Sequence, residues 1–299
     1  MDYQNCELCP RRCGVDRTAG ERGWCGAPDR ALVAKTMLHA WEEPVLSPNG
    51  RSGAIFFGGC TLGCIYCQNR AISREPTGTP MDSSQLRAVM EELIARGAEN
   101  IDLVTPTHYL PTILPALEDK LRVPVIYNCG GYERVATLKQ LAGKVDIYLP
   151  DLKYSDPALA RDLSGAENYF SVAKLALKEM VRQTGAPQWE GDKLVRGTVV
   201  RHLILPGQVE NSLRCLDWLG AHFRPGEILV SLMRQYTPME ATKNMPPFDR
   251  RITDEEYDAV LSWMYLNDLE GFIQEDEAAD AAFIPDFRLY CGGCGSVQA

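Results

Sequence analysis

The stretch 56-FFGGCTLGCIYCQNR-70 places Cys60, Cys64 and Cys67 in a C-x3-C-x2-C spacing directly after an apolar run. The residues leading into it, "SGAIFFGG", read as a buried strand. Glycines at 58, 59 and 63 let the following loop fold tightly, because glycine accepts positive φ and close approach. Three thiols are one short of a closed tetrahedral metal site. One reading is a zinc ion completed by a ligand from elsewhere in the chain. Zinc sites usually present paired cysteine knuckles, however, and a three-cysteine loop straight after a strand is unusual for them. The spacing and context favour a 4Fe–4S cluster bound by three thiolates, with one iron open to a non-protein ligand.

Outward from this loop, apolar runs alternate with helical patterns. "DSSQLRAVMEELIARG" has a cap at Asp82 or Ser83, apolar residues Leu86, Val89, Met90, Leu93 and Ile94 on one face, and a terminal Gly97, which predicts a helix with a stop signal. "NIDLVTP", "VPVIYNCGG", "VDIYLPDLKY", "TVVRHLILPG" and "EILVSLMRQY" read as strands, and the segments between them as helices. Such alternation, about six times over, predicts βα units around a parallel sheet. We therefore expect an α/β fold, a partial (β/α)6 TIM-type barrel over residues 53–299 with a C-terminal tail. Residues 1–52 form a cysteine-rich N-terminal extension, in which 31–52 read as a short strand and a loop. The strand ends carry the polar residues, where such folds place their chemistry.

The 299 residues are 45% hydrophobic and 24% charged, the composition of a globular protein, and the formal net charge of −9 argues against a general nucleic-acid binder. No apolar run approaches a membrane span and the first 20 residues are not signal-like, so a cytoplasmic protein is expected. Eleven cysteines are many for that compartment, where disulfides are rare, and they point to metal. An oxygen-poor habitat would suit so many thiolates. Cys6, Cys9, Cys13 and Cys25 form a C-x2-C-x3-C-x11-C group in a segment too poor in apolar residues to fold alone, which supports a second metal site. Its spacing fits zinc or an iron–sulfur cluster equally. Cys291 and Cys294 form a third group near the end of the chain. Cys129 and Cys215 stand alone, and burial as small hydrophobes is the better reading of Cys129.

The C-x3-C-x2-C loop, with aromatic Tyr66 before its last cysteine, resembles the signature of the radical S-adenosylmethionine (SAM) superfamily. "CELCPRRCGVDRTAGERGWCG", "LVTPTHYLP", "VIYNCGGYE", "YLPDLKY", "VRHLILPG", "LMRQYTPM" and "FIPDF" together are similar to one subfamily, commonly described as pyruvate formate-lyase activating enzymes or simply as uncharacterised iron–sulfur radical proteins. The resemblance implies a 4Fe–4S cluster on Cys60, Cys64 and Cys67, whose open iron chelates SAM. It also implies reductive cleavage to a 5′-deoxyadenosyl radical, with Tyr66 near the adenine. A protein or peptide substrate is implied, with an electron donor of the flavodoxin or ferredoxin type that "PRRCGVDR" could dock.

Further cofactor-binding candidates lie at the strand ends. Activases usually carry Gly-Gly-Glu after the second strand, but here Thr105-Pro106-Thr107-His108 stands in that place. Thr105 and Thr107 could supply hydroxyls to the cofactor, or the segment could be a proline-restrained turn with a helix cap. Asp151 and Lys153 share one strand face and resemble the activases' Asp-x-Lys pair, in which the lysine meets the cofactor carboxylate. Asn128 occupies a position that in related proteins faces the ribose or the carboxylate. Either His202 or Arg201 faces the cofactor, since alternation lets only one point inward; we take His202. Gln235 and Tyr236 close the last strand.

Overall fold

The computed structural model describes residues 2–40 and 43–273; Cys291, Cys294 and "FIPDF" lie outside them. Among the described residues ten strands run as β1 (Ala31–His39), β2 (Ser52–Phe57), β3 (Thr79–Met81), β4 (Asn100–Val104), β5 (Val125–Cys129), β6 (Ile147–Pro150), β7 (Gln188–Glu190), β8 (Lys193–Leu203), β9 (Leu229–Met233) and β10 (Gly271–Ile273). The helices are α1 (Arg70–Ser73), α2 (Ser83–Ala95), α3 (Leu110–Ala116), α4 (Val135–Leu138), α5 (Pro157–Ser164), α6 (Tyr169–Thr184), α7 (Val209–His222) and α8 (Asp254–Leu266).

The sheet order is β10-β9-β8-β6-β5-β4-β2-β1-β3, with β7 paired to β8. From β2 to β10 every neighbouring pair is parallel. Six of these strands are each followed by helix, and β10 adds a seventh at one edge. The result is an open, partial α/β barrel, as expected. β1 joins the sheet antiparallel to β2 and β3. The extension thus contributes a strand to the sheet, while residues 2–30 contain neither helix nor strand.

The local signals account for the helices. Asp82 caps α2, its side chain accepting from Gln85 N (2.9 Å) while Gln85 Oε1 accepts from Asp82 N (3.0 Å), and Leu86, Met90 and Leu93 are buried beneath. Thr253 and Glu256 make the same reciprocal cap on α8, with Asp254, Glu255 and Glu256 in its first turn favouring the helix dipole.

Alternation along the strands divides the barrel interior into two levels. The floor is apolar: Ile126, Ile147, Leu149, Leu194, Val199 and Leu229 close around Leu46, which is fully buried. Asn100 holds this plug from the side, its Nδ2 donating to the Leu46 carbonyl at 2.7 Å. Above the floor, at the carboxyl ends of the strands, the inward residues turn polar. Outside the sheet a second polar group is buried: Thr107 Oγ1 donates to Glu133 Oε1 (2.8 Å), and the Tyr127 hydroxyl donates to Thr107 Oγ1 (3.1 Å). Burial pushes the Glu133 carboxyl up to about 8.

Two outcomes follow. Leu46→Ala empties the barrel floor and should cost about 2–5 kcal/mol, whereas Leu266→Ala on the surface should stay within about 0.5 kcal/mol; equal shifts in urea midpoint would contradict this placement. Glu133 binds its proton more tightly folded than unfolded. Its contribution is therefore whole below its ordinary value of 4.5 and is lost as pH rises toward about 8. Glu133→Gln should flatten the decline of stability between those limits, read by thermal melts across pH, and an unchanged slope would refute it.

Candidate active site

The three-cysteine loop leaves β2 at the carboxyl end of the barrel. Its first turn is forced by close approach: a Cβ on Gly58 would fall 2.3 Å from the Thr77 carbonyl, and Gly59 (φ +87°) would place one 2.6 Å from the Cys25 carbonyl. The Gly58 carbonyl accepts from the Tyr109 hydroxyl (3.0 Å) and bonds His108 Nε2 (2.8 Å), which fixes where the loop starts. His108 is buried and pushed down to about 3, so it serves as a neutral strut.

The thiols already have hydrogen-bond donors. Leu62 N and Gly63 N each donate to Cys60 Sγ at 3.4 Å, and Ser164 Oγ donates to Cys64 Sγ at 3.0 Å. Hydroxyls continue from Ser164 to Tyr154 and from Tyr154 to Tyr66, each step 2.6 Å. Tyr66 is therefore held in the wall of the site, its ring 6.0 Å from that of Tyr236. Tyr236 itself is buried, and its hydroxyl donates to the Phe248 carbonyl. Gln235 enters through its carbonyl, which accepts from Gln68 beside the loop. Burial pushes the Cys60 thiol up to about 12 and the Cys67 thiol upward. Such thiols do not ionise unaided at neutral pH; metal binding would take their protons.

Facing the loop is a chain of polar side chains across four strands. Lys153 Nζ lies 2.6 Å from Asp151 Oδ2, and Arg201 Nε donates to Asp151 Oδ1 at 3.0 Å. Arg201 Nη2 donates to Asn128 Oδ1 (2.6 Å), and Asn128 Nδ2 donates to Asp102 Oδ2 (3.2 Å). Burial alone would raise the Asp151 carboxyl, but the Lys153 and Arg201 cations beside it hold it below its ordinary range. Burial would likewise lower Lys153, but Asp151, and next the Cys64 sulfur, keep it raised and charged. The backbone here is pinned from behind: the Tyr169 hydroxyl donates to the Asp151 carbonyl (2.8 Å) and accepts from Lys153 N (3.0 Å), while Asn211 Nδ2 donates to the Lys153 carbonyl (3.0 Å).

Asp151, Lys153, Asn128 and the three cysteines thus come together, and two candidates do not. His202 points away from the barrel interior, its Nδ1 at 2.5 Å from the Leu152 carbonyl and its Nε2 at 2.8 Å from Ser212 Oγ on α7. Burial pushes it down to about 4, and Arg201 takes the inward position instead. Thr107 is also displaced, to the outer face, because Thr105 adopts φ +60° and swings the chain outward after β4. That conformation is costly for a β-branched residue. Thr105 itself stays half-buried at the strand end, its N–H bonded to the Asn128 carbonyl. Cys129 is buried on the outer face, as expected. Sequence reasoning missed Asp102, Ser164, Tyr154, Tyr169 and Asn211. A lone acid inside the apolar run "NIDLV" was the visible signal for Asp102; the others lie on helices or loops whose packing has no sequence signature.

The four N-terminal cysteines lie in one short, folded-back segment. Residues 6–15 fold back on themselves through Cys6 N to Val15 O and Gly14 N to Cys6 O, both 3.0 Å, and Trp24 N donates to Cys13 Sγ at 3.4 Å. Cys25 and Cys13 both act electrostatically on Cys9, and Cys6 and Cys13 on Cys25. Among the described residues no three Cys, His, Asp or Glu side chains stand close enough to share a single metal ion. A cluster asks less of them, because each thiolate binds its own iron. Among the described residues no helix is long and apolar enough to cross a membrane.

No protein-family model matches the sequence. The chain is 30% identical over 274 residues to the uncharacterised protein MJ0674 of Methanocaldococcus jannaschii, covering 87% of this chain and 74% of that one. A radical SAM methyltransferase from Sphaerobacter thermophilus superposes with a TM-score of 0.54 at 13% identity, over 78% of this chain and 69% of that one. SuiB of Streptococcus suis, bound to S-adenosylmethionine, gives 0.51 at 11% identity, over 75% of this chain and half of that one. The chain belongs to the family of MJ0674 and has the partial-barrel fold of radical SAM enzymes.

Proposed function

We propose that this protein is a radical SAM enzyme of the activating-enzyme kind, acting on a protein or peptide. With a 4Fe–4S cluster on Cys60, Cys64 and Cys67, the group supplies reductive cleavage of SAM to a 5′-deoxyadenosyl radical. The observation that carries the proposal is the pairing of three thiols with a buried cation pair across the barrel mouth. Lys153 and Arg201 present strong donors suited to a carboxylate, and Asp151 holds both in place at the barrel mouth. Asn128 and Asp102 supply hydrogen-bonding capacity deeper in the barrel, where a ribose or a substrate polar group would need it.

A polypeptide substrate is supported by the openness of the sheet, whose edge strands among the described residues, β3 and β10, do not pair with each other. A small-molecule substrate is favoured by one feature. The Thr105–His108 segment lacks the activases' carboxylate, and Glu133, which follows Gly130-Gly131, faces outward to Thr107 and Tyr127 instead of into the barrel. The electron donor in either case is a low-potential protein of the flavodoxin or ferredoxin type.

Anaerobically reconstituted protein, reduced in the presence of SAM, should release 5′-deoxyadenosine, and Cys64→Ala should reduce that release to background. Absence of release from the unaltered chain would leave a non-catalytic metal-binding scaffold in place of the enzyme. Lys153→Met and Arg201→Met should each raise the KM for SAM about tenfold or more, since a charged hydrogen bond contributes about 1.5–3 kcal/mol. His202→Asn should leave that KM unchanged while lowering thermal stability. A KM effect at His202 as large as at Arg201 would reverse the assignment of the inward residue. Hydrogen transfer from a deuterated peptide into 5′-deoxyadenosine would separate the polypeptide reading from the small-molecule one.

A further inference from the structure

Residues 2–30 form neither helix nor strand, and among the places where they are fastened is the loop that carries Cys60, Cys64 and Cys67. The Arg11 guanidinium donates to the Thr61 carbonyl (3.1 Å), the Ser164 carbonyl (2.9 Å) and the Gly165 carbonyl, and it lies 3.9 Å over the Trp24 ring. Trp24 Nε1 in turn donates to the Leu62 carbonyl at 3.2 Å. Arg17 is almost wholly buried, its guanidinium donating to the Pro28 and His108 carbonyls and lying against Tyr3 and Tyr109. Two arginines of "PRRCGVDR" are therefore clamps rather than a docking patch, and the third, Arg12, pairs with Glu7.

The clamps bring two groups of cysteines into backbone contact. Gly59, the residue before Cys60, sits against the Cys25 carbonyl so closely that no Cβ fits between them. At the other end of the extension's group, Cys13 is exposed, while Cys6 and Cys9 are buried. The segment thus meets solvent at Cys13 and meets the three-cysteine loop at the Cys25 backbone.

We propose that Cys6, Cys9, Cys13 and Cys25 hold a second iron–sulfur cluster, which receives an electron at the Cys13 face and passes it to the cluster on Cys60, Cys64 and Cys67. This rests on the radical SAM reading of that loop. In each transfer one electron moves and no bond forms or breaks. A reduced flavodoxin or ferredoxin-type protein is oxidised by one electron as the second cluster is reduced, and the second cluster is reoxidised as the first is reduced. The two groups meet where the Cys25 carbonyl lies against Gly59, the residue bonded to Cys60.

The test is anaerobic reconstitution of the full chain with iron and sulfide, beside two variants: the triple Cys60→Ala/Cys64→Ala/Cys67→Ala and the double Cys13→Ala/Cys25→Ala. The full chain should bind twice the iron of either variant. The reduced triple variant should still give an iron–sulfur paramagnetic resonance signal. The full chain's signal should be broadened by coupling between two nearby spins, so that it differs from the sum of the variants' signals. Reduction of the first cluster by a reduced flavodoxin should be lost in the double variant and kept with a small-molecule reductant. A triple variant that takes up zinc or no metal, or a full-chain spectrum equal to the sum of the two variants, would overturn the proposal. Should the radical SAM reading fail instead, the full chain and the triple variant would bind the same iron and give the same spectrum.

Discussion

One aspartate shared by two cations is the constraint around which the barrel mouth is arranged. Asp151 meets Lys153 at 2.6 Å and Arg201 at 3.0 Å in a largely buried setting, where an unpaired charge costs several kcal/mol and removing one partner strands the other. The pairing is available only because β6 and β8 are neighbours running the same way, with Asp151 bridged directly to Arg201. It also needs an apolar layer beneath it that keeps water from entering from below. Leu46 and its neighbours on four strands provide that layer. The polar chain then extends through Asn128 to Asp102 because each additional buried group must find a partner in turn.

Much of this was legible from residue type and period. The strand leading into the cysteine loop, the cap of α2 and the placement of Asp151 and Lys153 on one face follow from patterns of two and 3.6 residues. The choice between Arg201 and His202 did not, because both are polar and alternation fixes only that they oppose. What decides it is Ser212 on α7, which offers His202 a partner outside the barrel, and Asp151 within it, which offers one to Arg201. Thr107 was misplaced for a different reason. Threonine is among the residues least expected at positive φ, so nothing in "LVTPTHYLP" signals that the chain turns outward at Thr105.

The extension shows where period fails altogether. Its own apolar cluster is small, Tyr3, Cys6 and Leu8 with Val15 beside them. Its order comes instead from arginines that satisfy backbone carbonyls belonging to other elements. Arg11 serves the end of α5 and the cysteine loop together, and Arg17 serves Pro28 and His108. Carbonyl acceptors carry no sequence signature, and a sequence scores such arginines as surface charge.

The same contacts tie the two cysteine groups mechanically. Ser164 accepts from Arg11 through its carbonyl and donates to Cys64 through its hydroxyl, so a single residue reports the position of the extension to a thiol of the catalytic loop. A hydrogen bond to a ligating sulfur is one of the levers that set the potential of an iron–sulfur centre. Whatever orders residues 2–30 thereby also fixes the donor to Cys64. A metal on its four thiols would add to the order that these arginines give, as in small domains whose metal-binding free energy is their folding free energy. Loading of the extension, on the proposed second cluster, would then also hold the donor to Cys64 in place, because the segment is clasped to the three-cysteine loop through Arg11 and Ser164.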